Sequence, residues 1–148
     1  MSNSIFVMLK KEKMPRATEW AEQIKKEGFG LKIDTSYEEE KNDRDGIYGY
    51  RPCFYYNVDE IGYELDIILR EQEAEDFQEW DDEFPEVKKF DLAVIFGIYE
   101  EDDANCAMVA GAVLAKMTDG IYFDVDEPMP INKLYRQCKE IDNMMKKR

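Results

Sequence analysis

The 148-residue sequence predicts an α+β fold, a single domain in which a mixed, mostly antiparallel sheet carries about four helices. Three observations predict it. Short apolar runs of strand length occur at Ile5–Leu9, Asp91–Tyr99 and Ile121–Val125. Residues 50–69 are rich in aromatics and alternate apolar with acidic positions. Stretches with helical periodicity separate these runs.

Taken in order, Ile5–Leu9 is a buried strand. Its lead-in is neither basic nor long enough in apolar residues for a signal peptide, so the expected location is cytoplasmic. Pro15 suits the first turn of a helix whose apolar face is Trp20, Ala21 and Ile24 and whose stop is Gly28. Leu31–Ile33 follows as a second strand, and the polar stretch Tyr37–Gly49 reads as a loop. Tyr50–Val58 and Tyr63–Leu69 predict an antiparallel hairpin turning at Asp59–Gly62, with Pro52 marking an edge or a strand start. Glu71–Glu83 predicts an acidic helix that aligns Phe77, Trp80 and Phe84 and ends at Pro85.

Asp91–Tyr99 is apolar enough for a central strand. Asp103 is placed to cap a helix over Ala104–Thr118, whose alanines and Gly111 permit close approach to a sheet. Asp119-Gly120 turns the chain into Ile121–Val125. Pro130 then opens a last helix with Ile131, Leu134, Tyr135, Cys138 and Ile141 on one stripe.

Charge is the feature that bears most on function. Residues 34–132 hold 28 acidic and 7 basic side chains, a net of −21, whereas residues 1–33 carry +3 and 133–148 carry +4, for a total of −14. Such a field repels nucleic acid and anionic membranes and attracts cationic protein surfaces. Histidine is absent, which removes the commonest general base, the commonest transition-metal ligand and every Ser-His or Cys-His nucleophile. Cys53, Cys106 and Cys138 form no CxxC pair and read as reduced, buried thiols. No run approaches the ~20 apolar residues of a membrane span. The expected protein is therefore not an enzyme: it has no catalytic residue, no metal and no cofactor, and it contacts neither nucleic acid nor membrane.

The candidate partner-binding residues follow from the charge. Glu71–Glu86 has nine carboxylates in sixteen residues and no base, and supplies Glu75, Asp76, Glu79, Asp81, Asp82 and Glu83 together with Trp80 as an aromatic anchor. A solvated helix face is the plain alternative. Glu100, Glu101, Asp102 and Asp103 follow a central strand; a helix dipole accounts for one or two of the four and leaves the others for a partner. Tyr55 represents the aromatic group of the hairpin, half of which must face the core. Asp124, Asp126 and Glu127, with Asp102 or Asp103, form an oxygen-rich set for a divalent cation, without the spacing of an EF-hand.

Several segments resemble small bacterial immunity proteins: Met14-Pro15 through Trp20 to Gly28-Phe29, Arg51-Pro52-Cys53, Phe90–Val94, and the alanine-rich run Ala110–Asp124 (AGAVLAKMTDGIYFD). Immunity proteins neutralise polymorphic toxins, including those of contact-dependent growth inhibition systems. The net charge of −14 makes self-association costly, so a monomer is expected more than a homo-oligomer. The resemblance implies a cognate toxin domain with a basic surface, of nuclease type, as partner. It carries over no binding residue. The expected function is a non-catalytic acidic inhibitor that blocks the toxin's substrate cleft. The alternatives are a small carboxylate- and divalent-metal-dependent enzyme, or an acidic adaptor subunit of a protein complex.

Overall fold

Strand β1 (Ser4–Leu9) sends alternate side chains into two separate apolar clusters: Ile5, Val7 and Leu9 into one, Phe6 and Met8 into the other. A two-residue period requires this of a strand covered on both faces. The computed structural model describes residues 4–34, 53–56, 61–62, 65–71, 73–98, 101–124 and 127–147. Within them, β1 is the centre of a five-stranded sheet ordered β5-β6-β1-β7-β8, where β5 is Leu65–Leu69, β6 Leu92–Gly97, β7 Ile121–Asp124 and β8 Glu127–Met129. A second sheet holds β2 (Lys32–Asp34), β3 (Cys53–Tyr55) and β4 (Ile61–Gly62). Every described pairing is antiparallel, so the sheet is not mixed among the described residues.

The helices are α1 (Ala17–Lys26), α2 (Ala74–Glu83), α3 (Glu101–Thr118) and α4 (Ile131–Lys146). They divide between the two faces of the large sheet. Trp20 and Ile24 of α1, Val109 and Val113 of α3, and Leu134 and Cys138 of α4 share a cluster with Val7, Val94 and Tyr122. Phe77 of α2 shares the other with Phe6, Met8, Ala93 and Phe123. The α+β class is therefore a three-layer arrangement, with α2 and the 3-10 turn Pro85–Lys89 on one face of the large sheet and α1, α3 and α4 on the other.

Local chemistry explains the element ends. Glu19 accepts a hydrogen bond from the Arg16 N–H at 3.0 Å and steadies the start of α1. Gly28, at φ +86°, closes α1: the Phe29 N–H donates to the Ile24 carbonyl at 3.2 Å and the Gly28 N–H to that of Lys25 at 3.0 Å, the six-to-one and five-to-two bonds of a Schellman ending. Lysines of α4 satisfy two further carbonyls there, with Lys139 Nζ donating to Glu27 and Lys146 Nζ to Gly28 at 3.2 Å. On α3 the small residues do what their size predicts, and the Trp20 indole N–H reaches the Ala110 carbonyl at 3.1 Å.

Three expectations are corrected. Helix α3 begins at Glu101, so Asp103 lies inside its first turn and is not a cap; carboxylates there are favoured by the helix dipole. Strand β3 pairs with Ile61–Gly62, which were expected to turn, while Leu65–Leu69 joins β6 in the large sheet. Strand β8 was not foreseen, because Pro128 argues against a strand; at the sheet edge its missing N–H costs no ladder bond. The loop Tyr37–Gly49 and Pro52 lie outside the described residues.

Candidate protein-binding surface

Helix α2 has poor local reasons to exist. At ten residues it is marginal on its own. Its pairs Glu75–Glu79 and Glu79–Glu83 put like charges four apart, and Asp82 and Glu83 stand at the C-terminal, negative end of the dipole with no base in the last turn. Packing supplies the missing stability. Phe77 is fully buried, and the Trp80 ring lies 5.3 Å from Phe6 in a stacked arrangement and 5.3 Å from Phe77 edge-on. Phe84 meets Phe123 at 5.2 Å. The aligned aromatic face expected from the spacing is thus the underside of α2, and Trp80 is a half-buried member of it.

Asp81 leaves the expected binding set for a structural reason. It is buried and receives both ends of the Arg70 guanidinium, at 2.5 and 3.0 Å. The remaining α2 carboxylates, Glu75, Asp76, Glu79, Asp82 and Glu83, are exposed. Asp82 accepts a hydrogen bond from the Gln78 amide at 2.9 Å. Among the described residues no cation lies within ion-pair distance of any of the five.

Elsewhere three lysines are engaged. Lys116 pairs with Glu27 at 3.0 Å, Lys146 with the buried Asp142 at 3.0 Å, and Lys139 sits 4.2 Å above the Phe29 ring while it holds the Glu27 carbonyl. These basic side chains, one on α3 and two on α4, knit α1, α3 and α4 together on the other face of the sheet. They do not offset the acidic row.

The rest of the expected set does not converge on α2. Glu101 is exposed at the start of α3, and Asp103 is buried beside it. Helix α3 lies across the sheet from α2. The Asp102 side chain and all of Glu100 fall outside the described residues. Tyr55 is half-buried on β3, opposite Lys32, and its neighbours Phe54 and Tyr56 pack into the α1–α3–α4 side. Sequence reasoning did not find Arg70 as the partner of Asp81; its place immediately after an alternating strand and eleven residues before an aspartate on an aromatic-faced helix was the available signal.

Other chemistry is sparse. Among the described residues no group of three His, Cys, Asp or Glu could hold a metal ion. Cys106 and Cys138 are buried and unbonded to one another, and burial, aided by Asp142, pushes the Cys138 thiol up to about 12. It is protonated at neutral pH and unreactive. A shallow pocket at the base of the α2 segment is lined by Lys11, Arg70, Glu71 and Asp91. Lys11 closes much of its chemistry internally: its side chain pairs with Glu71 at 3.7 Å and its N–H donates to Asp91 Oδ1 at 2.6 Å. No described helix is long and apolar enough to cross a membrane. No protein-family model, curated protein or solved structure matches the chain.

Proposed function

We propose that the chain is a non-catalytic inhibitor, an immunity protein, that binds a basic toxin domain of nuclease type through the exposed face of α2 and so excludes nucleic acid from the toxin's cleft. The observation that carries this reading is the row Glu75, Asp76, Glu79, Asp82 and Glu83, exposed and without a facing cation among the described residues. A ten-residue helix is about 15 Å long. Its five exposed carboxylates therefore present roughly one charge per 3 Å, close to the ~3.4 Å per charge of one nucleic-acid strand. A cleft built for phosphates meets a similar charge density on this helix.

The field also has a direction. Uncompensated carboxylates face outward on one side of the sheet, while Lys116, Lys139 and Lys146 on the other side are engaged in caps and ion pairs. A directed field steers a cationic partner onto the correct face and raises the association rate. Half-buried Trp80 lies beside the row and offers an anchor of the type that concentrates binding energy.

The test is capture at low ionic strength from the cells that encode the chain, run in parallel with Glu75→Lys/Glu79→Lys/Glu83→Lys. The inhibitor reading expects a stoichiometric basic protein on the wild type, released by salt and lost from the variant, whose nuclease activity the wild-type chain suppresses. Recovery of the same protein by both forms would remove α2 from the interface. A captured protein with no activity that the chain inhibits would remove the inhibitor role. Asp81 is left untouched, because reversing it would break the ion pair with Arg70.

A further inference from the structure

We propose that Arg70 is the positioning residue of the acidic surface, the clamp that makes α2 a preformed docking element. The proposal rests on the reading of α2 as the partner-facing surface. Residues 70–91 leave the sheet at the end of β5 and return at the start of β6, where Leu69 and Leu92 are paired. One residue closes this excursion. The Arg70 N–H donates to the Asp91 carbonyl at 2.9 Å. Its Nε donates to the Phe90 carbonyl at 2.8 Å and one terminal nitrogen to the Val87 carbonyl at 2.9 Å. Both terminal nitrogens reach the Asp81 carboxylate, and the guanidinium carbon stands 4.7 Å from the centre of the Phe77 ring.

Arg70 thereby ties α2, the 3-10 turn and the entry to β6 to a single planar group. The requirement is physical. Helix α2 gains from Glu75 and Asp76 in its first turn but carries like charges four apart and acids at the C-terminal end of its dipole. At ten residues it therefore depends on tertiary contacts to hold its conformation. Lysine is no substitute, since a single ammonium cannot reproduce a fork that serves a carboxylate and two carbonyls together. Rigidity matters to the proposed role because ordering a mobile segment on binding subtracts from affinity.

The test uses the full chain with Arg70→Lys, which keeps the charge and loses the fork, and Asp81→Asn, which removes the acceptor and leaves Arg70 in place. Two probes are bound at low ionic strength: cytochrome c, folded and basic, and flexible deca-lysine. In Arg70→Lys, amide exchange across 73–90 should rise about tenfold with α3 and α4 unchanged, as expected for a locally released segment. Affinity for cytochrome c should fall several-fold while that for deca-lysine, which adapts to a mobile surface, stays constant. Should Arg70→Lys not fold, Asp81→Asn must show the same exchange pattern. Unchanged exchange in both variants, or equal loss for the two probes, overturns the positioning role. If Glu75→Gln/Glu79→Gln/Glu83→Gln binds both probes as the wild type does, the surface reading is what fails, and the exchange result then describes the fold alone.

Discussion

Tyr122 lies against the bare Cα of Gly111: a Cβ built on Gly111 would stand 2.9 Å from Tyr122 Cε2 and 3.2 Å from Cδ2. Helix α3 approaches the sheet closely because this position has no side chain. Tyr122 is fully buried and its ring has little room to withdraw. Gly111→Ala should destabilise the fold by about 1–3 kcal/mol, despite alanine's better helix propensity. Urea unfolding measures it. Tyr122→Leu in the same chain should recover part of the loss, and a neutral or stabilising Gly111→Ala would show that the contact yields.

Asp142 ties α4 to the loop between α1 and β2. It is almost fully buried, accepts the Gly30 N–H at 2.8 Å and pairs with Lys146 at 3.0 Å, while Lys146 also serves the Gly28 carbonyl. Removing one partner of a buried charge pair strands the other. Lys146→Ala leaves the buried Asp142 carboxylate without its cation and should be the larger loss by denaturant unfolding, about 3 kcal/mol or more. Asp142→Ala, which leaves a half-exposed lysine that water solvates, should cost about 1–3 kcal/mol for the lost Gly30 bond. Equal and small losses from both would mean that this polar cluster contributes little.

Much of this fold was legible in the sequence. Ile5–Leu9 and Ile121 onward alternate or run apolar as strands must, Gly28 stops α1, and Pro85 ends α2. What escaped depended on distant partners. Leu65–Leu69 pairs with a strand 27 positions away through Leu65–Phe96 and Leu69–Leu92, and no local signal separates that from a hairpin with its neighbour. The candidate surface was legible as charge, but its membership was not. Asp81 looks like Asp82 in sequence, and only the fold places one beneath the helix on Arg70 and the other in solvent.

Alkaline pH should unfold the protein early. Burial raises the Cys138 thiol to about 12 and lifts the Tyr56, Tyr122 and Tyr135 hydroxyls above the ordinary tyrosine range, with Asp142, Asp124 and Glu27 respectively adding to the effect. Above an unfolded pKa of about 9 to 10 the unfolded chain releases these protons and the folded one retains them. The stability slope with pH is then negative, up to ~1.4 kcal/mol per pH unit for each group. Denaturant midpoints measured from pH 8 to 11 should fall progressively and more gently in Cys138→Ala, whereas a flat profile would contradict the burial of these groups.

The local potential at α2 is measurable without a partner. Trp20 is fully buried and Trp80 half-buried, so ionic quenching of fluorescence reports on Trp80. Normalised to free N-acetyltryptophanamide, caesium should quench about fivefold more efficiently than iodide at low ionic strength. The ratio should approach unity in Glu79→Gln/Glu83→Gln and in high salt, where the screening length drops to ~3 Å at 1 M. A ratio near unity in the wild type would mean that the carboxylate row creates no usable field.

The most direct measurement of the central claim is the association rate of the chain with its captured basic partner as a function of salt, for the wild type and for Glu75→Gln/Asp76→Asn/Glu79→Gln/Glu83→Gln. If the α2 face docks the partner, the wild-type rate falls steeply as salt rises, and the variant associates at least about tenfold more slowly at low salt with a much flatter dependence. Equal rates and equal salt slopes for the two proteins would contradict it and place the interface elsewhere.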